Sequence, residues 1–82
     1  MGTSVETLKR WFKSGVDQGA THMIVVCDTY DWSDYPVYVL PAEDVREVEA
    51  KYAEADMSKV MEVYKMAMGM SAQMSQRRAF NY

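Results

Sequence analysis

Three aspartates follow one another at intervals of three residues near the middle of the chain: Asp28, Asp31 and Asp34. Carboxylates this close in sequence could exchange protons with a substrate or ligate a cation. Their spacing differs from the one-three-five spacing of a calcium loop, which also needs a central glycine and a glutamate at the twelfth position. His22 and Cys27 are the only histidine and cysteine. The sequence therefore predicts no metal site and no cofactor, and acid–base chemistry by the loop aspartates stays as an alternative.

Large aromatic rings alternate with these aspartates, and two arginines lie near the C-terminal end. Such rings are enriched at binding hot spots, and guanidinium groups suit bidentate contacts with phosphate. Rings for a base and arginines for phosphate would suit a nucleotide, whereas rings with acids would suit a basic protein surface. In the structural alternative, residues 31–34 form a turn with side-chain capping, Trp32 and Tyr35 cover the hairpin, and the arginines complement a helix dipole. The candidate ligand-binding or partner-binding residues are Tyr30, Asp31, Trp32, Asp34, Tyr35, Arg77 and Arg78.

Composition excludes several classes of protein. The chain has 82 residues, a formal net charge of −3 and one cysteine, so a disulfide within the chain is excluded and general nucleic-acid binding is not expected. The sequence shows no signal-peptide pattern and no apolar run of about 18 residues, which predicts a cytoplasmic protein with no membrane partner. Residues 28–56 carry nine acids against two bases, whereas residues 57–82 are basic. This polarity could orient a partner.

The first half of the chain predicts a helix followed by a β-hairpin. Residues 3–16 place apolar side chains on one helical face, after Thr3 or Ser4 as N-cap. Residues 21–28 predict a strand without polar alternation, so both of its faces should be covered, one by helices and the other by more helix or a second subunit. A loop over residues 28–35 and a strand over residues 37–40, led by Pro36, complete an antiparallel hairpin.

The second half predicts two helices. Residues 42–55 carry a narrow apolar stripe, and Asp56 marks a break. From Met57 to about Ala79, apolar residues recur at helical spacing over more than half the circumference, which predicts a long C-terminal helix that packs on a second subunit. The predicted fold is one α+β domain over residues 1–82, in the order helix–strand–strand–helix–helix, that forms a homo-oligomer.

The stretch GATHMIVVCDTYDWSDYPVYV, with the acidic helix after it, MEVYKM and the closing RRAF, resembles a small uncharacterised bacteriophage-encoded family. The resemblance covers the chain from Trp11 to Phe80 and brings no assigned activity. It implies an accessory protein in the host bacterial cytoplasm. The expected function is non-catalytic binding, as an anti-defence protein that sequesters a nucleotide signalling molecule at a subunit interface. The alternatives are an inhibitor that binds a host protein through the acidic-aromatic loop, and a small nucleotide-processing enzyme that uses the loop aspartates.

Overall fold

Three antiparallel strands and three helices make up the described part of the chain, which confirms the predicted α+β class. A computed structural model describes residues 3–76 and 78–82. The strands form one sheet in the order β2-β1-β3, and none of the helices described is long and apolar enough to cross a membrane. In chain order the elements are α1 (Val5–Asp17), β1 (His22–Asp28), β2 (Ser33–Val39), α2 (Val45–Glu54), β3 (Ser58–Lys65) and α3 (Met70–Met74).

The central strand β1 has both faces buried within one chain. Met23 and Val25 belong to a cluster that α1 and α3 cover, whereas Ile24 and Val26 belong to a cluster on the other face, under α2. The prediction that both faces are covered is therefore confirmed. The covering layers are helices of the same chain, so this strand gives no reason to invoke a second subunit.

The predicted antiparallel hairpin is confirmed, but its second strand is longer than expected. Strand β2 begins at Ser33, opposite Asp28, and ends at Val39, opposite His22. The loop is consequently shorter than residues 28–35. Pro36 lies within β2, which is an edge strand, where a residue without an N–H group is tolerated because its nitrogen can face away from the ladder.

Helix α1 begins where its capping residue predicts. The side chain of Ser4 accepts a hydrogen bond from the backbone N–H of Thr7, and Leu8 and Phe12 are buried against the sheet. Helix α2 begins at Val45 rather than at residue 42. Asp44 is its N-cap and accepts a hydrogen bond from the backbone N–H of Arg46. An N-cap residue has extended backbone, so the helix starts after it.

The predicted long C-terminal helix over residues 57–79 is wrong: this segment forms β3, a turn and the short α3. The misleading signal comes from a bulge. Val25 pairs with Glu62 and Val26 pairs with Val60, so Met61 has no partner in β1.

The extra residue shifts the alternation of β3 so that side chains three apart share a face. Val60 and Val63 pack under α2, whereas Met61 and Tyr64 pack under α1 and α3. Spacing by three also occurs on a helix face, so this bulged strand has the same apolar pattern as a helix. Over residues 58–65 the apolar arc therefore belongs to a strand buried on two faces, and farther along the chain Met66, Met70 and Met74 pack on the same cluster as Met61.

The C-terminal segment closes the outer edge of β3. The N–H of Val63 donates to the carbonyl of Ala79 at 2.8 Å, and the N–H of Asn81 donates to the carbonyl of Val63 at 3.0 Å. These bonds form a parallel bridge between Val63 and Phe80. The phenol of Tyr82 then donates to the carboxylate of Glu49, which ties this segment to α2. Residues 79–81 thus cover the outer edge of β3 around Val63.

Candidate functional site

The hairpin loop is held in shape by Asp28, the last residue of β1. Its side-chain Oδ1 accepts a hydrogen bond from the N–H of Tyr30 at 2.9 Å, and its backbone oxygen accepts one from the N–H of Trp32 at 2.7 Å. An aspartate that bonds the N–H two residues ahead is typical of a tight turn. Asp28 therefore has a structural role in the loop.

Asp31 makes the equivalent turn at the other side of the loop. Its Oδ1 accepts hydrogen bonds from the N–H of Ser33 at 3.0 Å and from the Ser33 hydroxyl at 2.7 Å. These bonds, the hydroxyl first, lower the pKa of the Asp31 carboxyl below its ordinary value. The side chain is exposed and carries its negative charge at neutral pH, which suits attraction of a cation better than removal of a proton from a substrate.

Tyr30 and Trp32 project from this turn into solvent. Tyr30 is 78% exposed and Trp32 is 63% exposed, so neither ring covers the hairpin. Trp32 has a φ of 60°, in the left-handed region that side chains other than glycine rarely adopt. The loop therefore presents two large rings on a backbone that hydrogen bonds hold at both ends.

Asp34 and Tyr35, predicted as loop residues, lie in β2. The hydroxyl of Thr3 donates to the Asp34 carboxylate at 2.6 Å. Asp34 also lies beside the thiol of Cys27, whose pKa is raised first by burial and then by this neighbour. Tyr35 packs edge-on against Tyr52 of α2, with ring centroids 6.4 Å apart. Both residues are used by the fold itself, which separates them from the exposed rings.

The structure gives Arg78 a place away from the loop. Its guanidinium donates to the carbonyl of Met61 at 3.4 Å and lies 5.3 Å from the centroid of the Phe80 ring. Arg78 thus lies along β3, whereas the loop joins the other two strands. Arg77 lies outside the described residues. A nucleotide site that combines the loop rings with Arg78 stays a prediction.

Met57 is a residue at this end of the sheet that sequence reasoning missed, because it was assigned to the long helix. The N–H of Thr29 in the loop donates to the carbonyl of Met57 at 2.9 Å. Met57 is 53% exposed and has a φ of 61°. The break marked by Asp56 was the signal that could have placed it in a turn.

Acidic residues outnumber basic ones in the chain segments at this end of the sheet. Helix α2 ends just before Met57, so its last acidic residues lie near the loop. Lys59, opposite Cys27 at the start of β3, is the basic residue that the register places here. The acids that the loop and the neighbouring chain segments bring together are Asp28, Asp31, Asp34, Glu54 and Asp56.

The arrangement is a surface rather than a cavity. Residues 3–76 and 78–82 enclose no ligand-sized pocket, and within the same residues no three of the His, Cys, Asp and Glu side chains are grouped to hold a metal ion. An exposed pair of rings among carboxylates can bury apolar area against a partner and attract positive charge. No protein-family model, no curated protein and no solved structure matches this chain.

Proposed function

We propose that this chain is a non-catalytic binding protein whose hairpin loop docks on a basic surface of a partner protein. The observation that carries the proposal is the exposure of Tyr30 and Trp32 on a turn held by the hydrogen bonds of Asp28 and Asp31. Rings of this size in a rigid loop lose little conformational entropy on binding, because both the backbone and the turn are already ordered.

The fold has no use for the two rings in its own core. Each packed cluster is complete without them, since one is built around Leu8 and Phe12 and the other around Ile24 and Val63. Large exposed apolar side chains side by side are typical of sites that bind another protein. Tyr30 and Trp32 are therefore the expected centre of the interface.

The acidic residues around the loop support a basic partner. Asp31 stays ionised, and the nearby acids outnumber Lys59. Complementary charge raises the rate of encounter and orients the partner, while buried rings contribute more to the affinity. The resemblance to a bacteriophage family suggests a bacterial host protein as the partner and inhibition as the outcome.

The test is capture from a bacterial lysate with the immobilised chain, followed by calorimetry with the purified captured protein. We expect Tyr30→Ala with Trp32→Ala to weaken binding at least about 30-fold, the effect of a hot spot worth about 2 kcal/mol. Binding should also weaken as salt is raised, because charge attraction is screened.

The matched control is Val16→Ala. Val16 is 51% exposed near the end of α1, at the opposite end of the sheet from the loop. This variant should bind the captured protein like the unaltered chain. The proposal is wrong if the double loop variant binds as tightly as the control.

A further inference from the structure

Two residues other than glycine have positive φ angles among the residues described, and both are large and exposed. Trp32 has a φ of 60° and is 63% exposed; Met57 has a φ of 61° and is 53% exposed. The left-handed region is unfavourable for side chains with a Cβ atom, and glycine or asparagine is usual there. Neither side chain is buried in the core, so the fold gains little from their bulk.

Both positions lie at the end of the sheet where β1 ends, one on either side of that strand. Trp32 lies in the β1–β2 loop and Met57 in the turn between α2 and β3, and the hydrogen bond from Thr29 to Met57 joins the two segments at 2.9 Å. Backbone strain kept at exposed positions is a recurrent property of binding sites, where it places a side chain for contact. Strain, exposure and apolar bulk thus coincide at Met57, whose carbonyl is hydrogen-bonded to the loop that carries the two rings.

We propose that Tyr30, Trp32 and Met57 form a single docking surface, and that it takes an apolar side chain flanked by lysine or arginine. This inference rests on the proposed function and adds a third contact residue and the chemistry of the partner segment. The side chain of methionine is unbranched and polarisable, so Met57 can adapt to the shape of the partner side chain, whereas the two rings are rigid.

The negative charge next to this surface favours basic residues on either side of the apolar residue of the partner. Asp56 directly precedes Met57, and Asp31 directly precedes Trp32. Both carboxylates thus lie next to the contact residues along the chain, while the contact residues themselves are uncharged. A partner segment with its apolar residue at the centre and its basic residues on either side matches this arrangement, as in interfaces with an apolar core and a polar rim.

Three short synthetic peptides test the partner chemistry on the full chain. One has a central leucine flanked by arginines, the second has the same leucine flanked by glutamates, and the third has the arginines with glycine in place of leucine. Backbone amide shifts by NMR report where each one binds. We expect the first peptide to shift the amides of Tyr30, Trp32 and Met57, and the other two to bind at least about tenfold more weakly, a difference of 1.4 kcal/mol.

Met57→Gly separates binding from stability. Glycine accepts the positive φ, so we expect the melting temperature to rise by about 2–5 °C while the arginine–leucine peptide binds at least about tenfold more weakly. The matched control is Met68→Gly, since Met68 is 40% exposed and follows β3 at the opposite end of the sheet. This control should leave peptide binding unchanged and should not raise the melting temperature.

The outcomes distinguish this inference from the proposed function. If Tyr30→Ala with Trp32→Ala abolishes peptide binding but Met57→Gly does not, the three-residue surface is wrong and the proposed function stands. Equal binding of the arginine and glutamate peptides, or shifts away from the loop, would overturn the inferred partner chemistry. If instead the double loop variant captures the lysate protein as well as the unaltered chain does, the proposed function itself is wrong.

Discussion

The side-chain amide of Gln73 hydrogen-bonds both backbone groups of Lys65. The N–H of Lys65 donates to Oε1 of Gln73 at 2.7 Å, and Nε2 of Gln73 donates to the carbonyl of Lys65 at 2.8 Å. The amide thus pairs with the last residue of β3 as a neighbouring strand would. Gln73 is fully buried and its Oε1 also accepts a hydrogen bond from Asn81 at 3.0 Å. One side chain therefore holds together the end of β3, helix α3 and the C-terminal segment.

Gln73→Ala should be one of the most destabilising substitutions in the chain. It leaves both backbone groups of Lys65 without their partner and opens a cavity, so we expect a loss of about 3 kcal/mol in the free energy of unfolding. Urea unfolding followed by circular dichroism measures it. Gln76→Ala, at an exposed neighbouring glutamine, should change the free energy of unfolding by less than about 0.5 kcal/mol. Equal effects of the two substitutions would contradict the role of Gln73.

Gly15→Ala should destabilise the fold although alanine favours a helix. A Cβ atom at Gly15 would lie 2.3 Å from Cε of Met66 and 2.8 Å from Cε1 of Tyr38. Met66 can move, but the Tyr38 hydroxyl donates to the carbonyl of Trp11 at 2.8 Å, which restrains its ring. The clash should outweigh the gain of about 1 kcal/mol in helix propensity and leave a net loss of about 1–2 kcal/mol in chemical denaturation.

Gly69→Ala is the matched control for that substitution. A Cβ atom there would meet only the Cβ of Ala72, at 3.9 Å, and the φ of Gly69 is −59°. We expect its free energy of unfolding to stay within about 0.5 kcal/mol of the unaltered chain. If Gly15→Ala were as stable as Gly69→Ala, α1 would not approach the sheet as closely as described.

The stability of the fold should decline in alkali because of Tyr64. Burial, and then the hydrogen bond that its phenol donates to Glu62 at 2.7 Å, raise the pKa of Tyr64 above the ordinary value of 10.0. A pKa raised in the folded state means that stability is complete below pH 10 and falls as pH rises toward the folded value. We expect the free energy of unfolding to fall as pH rises above about 10, by at most about 1.4 kcal/mol per pH unit for one such group.

Tyr64→Phe should reduce that decline. The variant loses one hydrogen bond at neutral pH, worth about 1 kcal/mol, but it has no phenol to ionise. Some decline should remain, because burial and the bond to Glu49 also raise the pKa of Tyr82. Tyr30→Phe, at an exposed ring, should unfold with the pH dependence of the unaltered chain. An undiminished decline in Tyr64→Phe would show that Tyr64 is not responsible.

Native mass spectrometry of protein purified from cells distinguishes protein binding from nucleotide sequestration. If the loop binds a partner protein as proposed, we expect no retained small molecule, since Arg78 contacts Met61 and Phe80 rather than the loop. The same spectrum tests the predicted homo-oligomer. An oligomer that retains a nucleotide would favour sequestration at a subunit interface over the function proposed here.

Local patterns were sufficient for the first half of the fold. The capping residue Ser4 and the apolar face of Leu8 and Phe12 predicted α1. The lack of polar alternation in residues 22–27 predicted a strand covered on both sides, and all six residues are buried. The turn chemistry of Asp31 was also readable, because a short carboxylate bonds N–H groups only two residues away.

The sequence by itself therefore determined α1 and the antiparallel hairpin, although β2 begins earlier and the loop is shorter than predicted. Only the tertiary structure decided the remainder. The bulge at Met61 gives β3 the spacing of a helix, and whether such a segment is strand or helix depends on β1, more than thirty residues earlier. The pairing of β3 with β1 also places Met57 beside the loop. The packing of α2 on the sheet places Tyr52 against Tyr35. Periodicity reports which side chains are buried, but the neighbours that bury them are set by contacts between segments far apart in the chain.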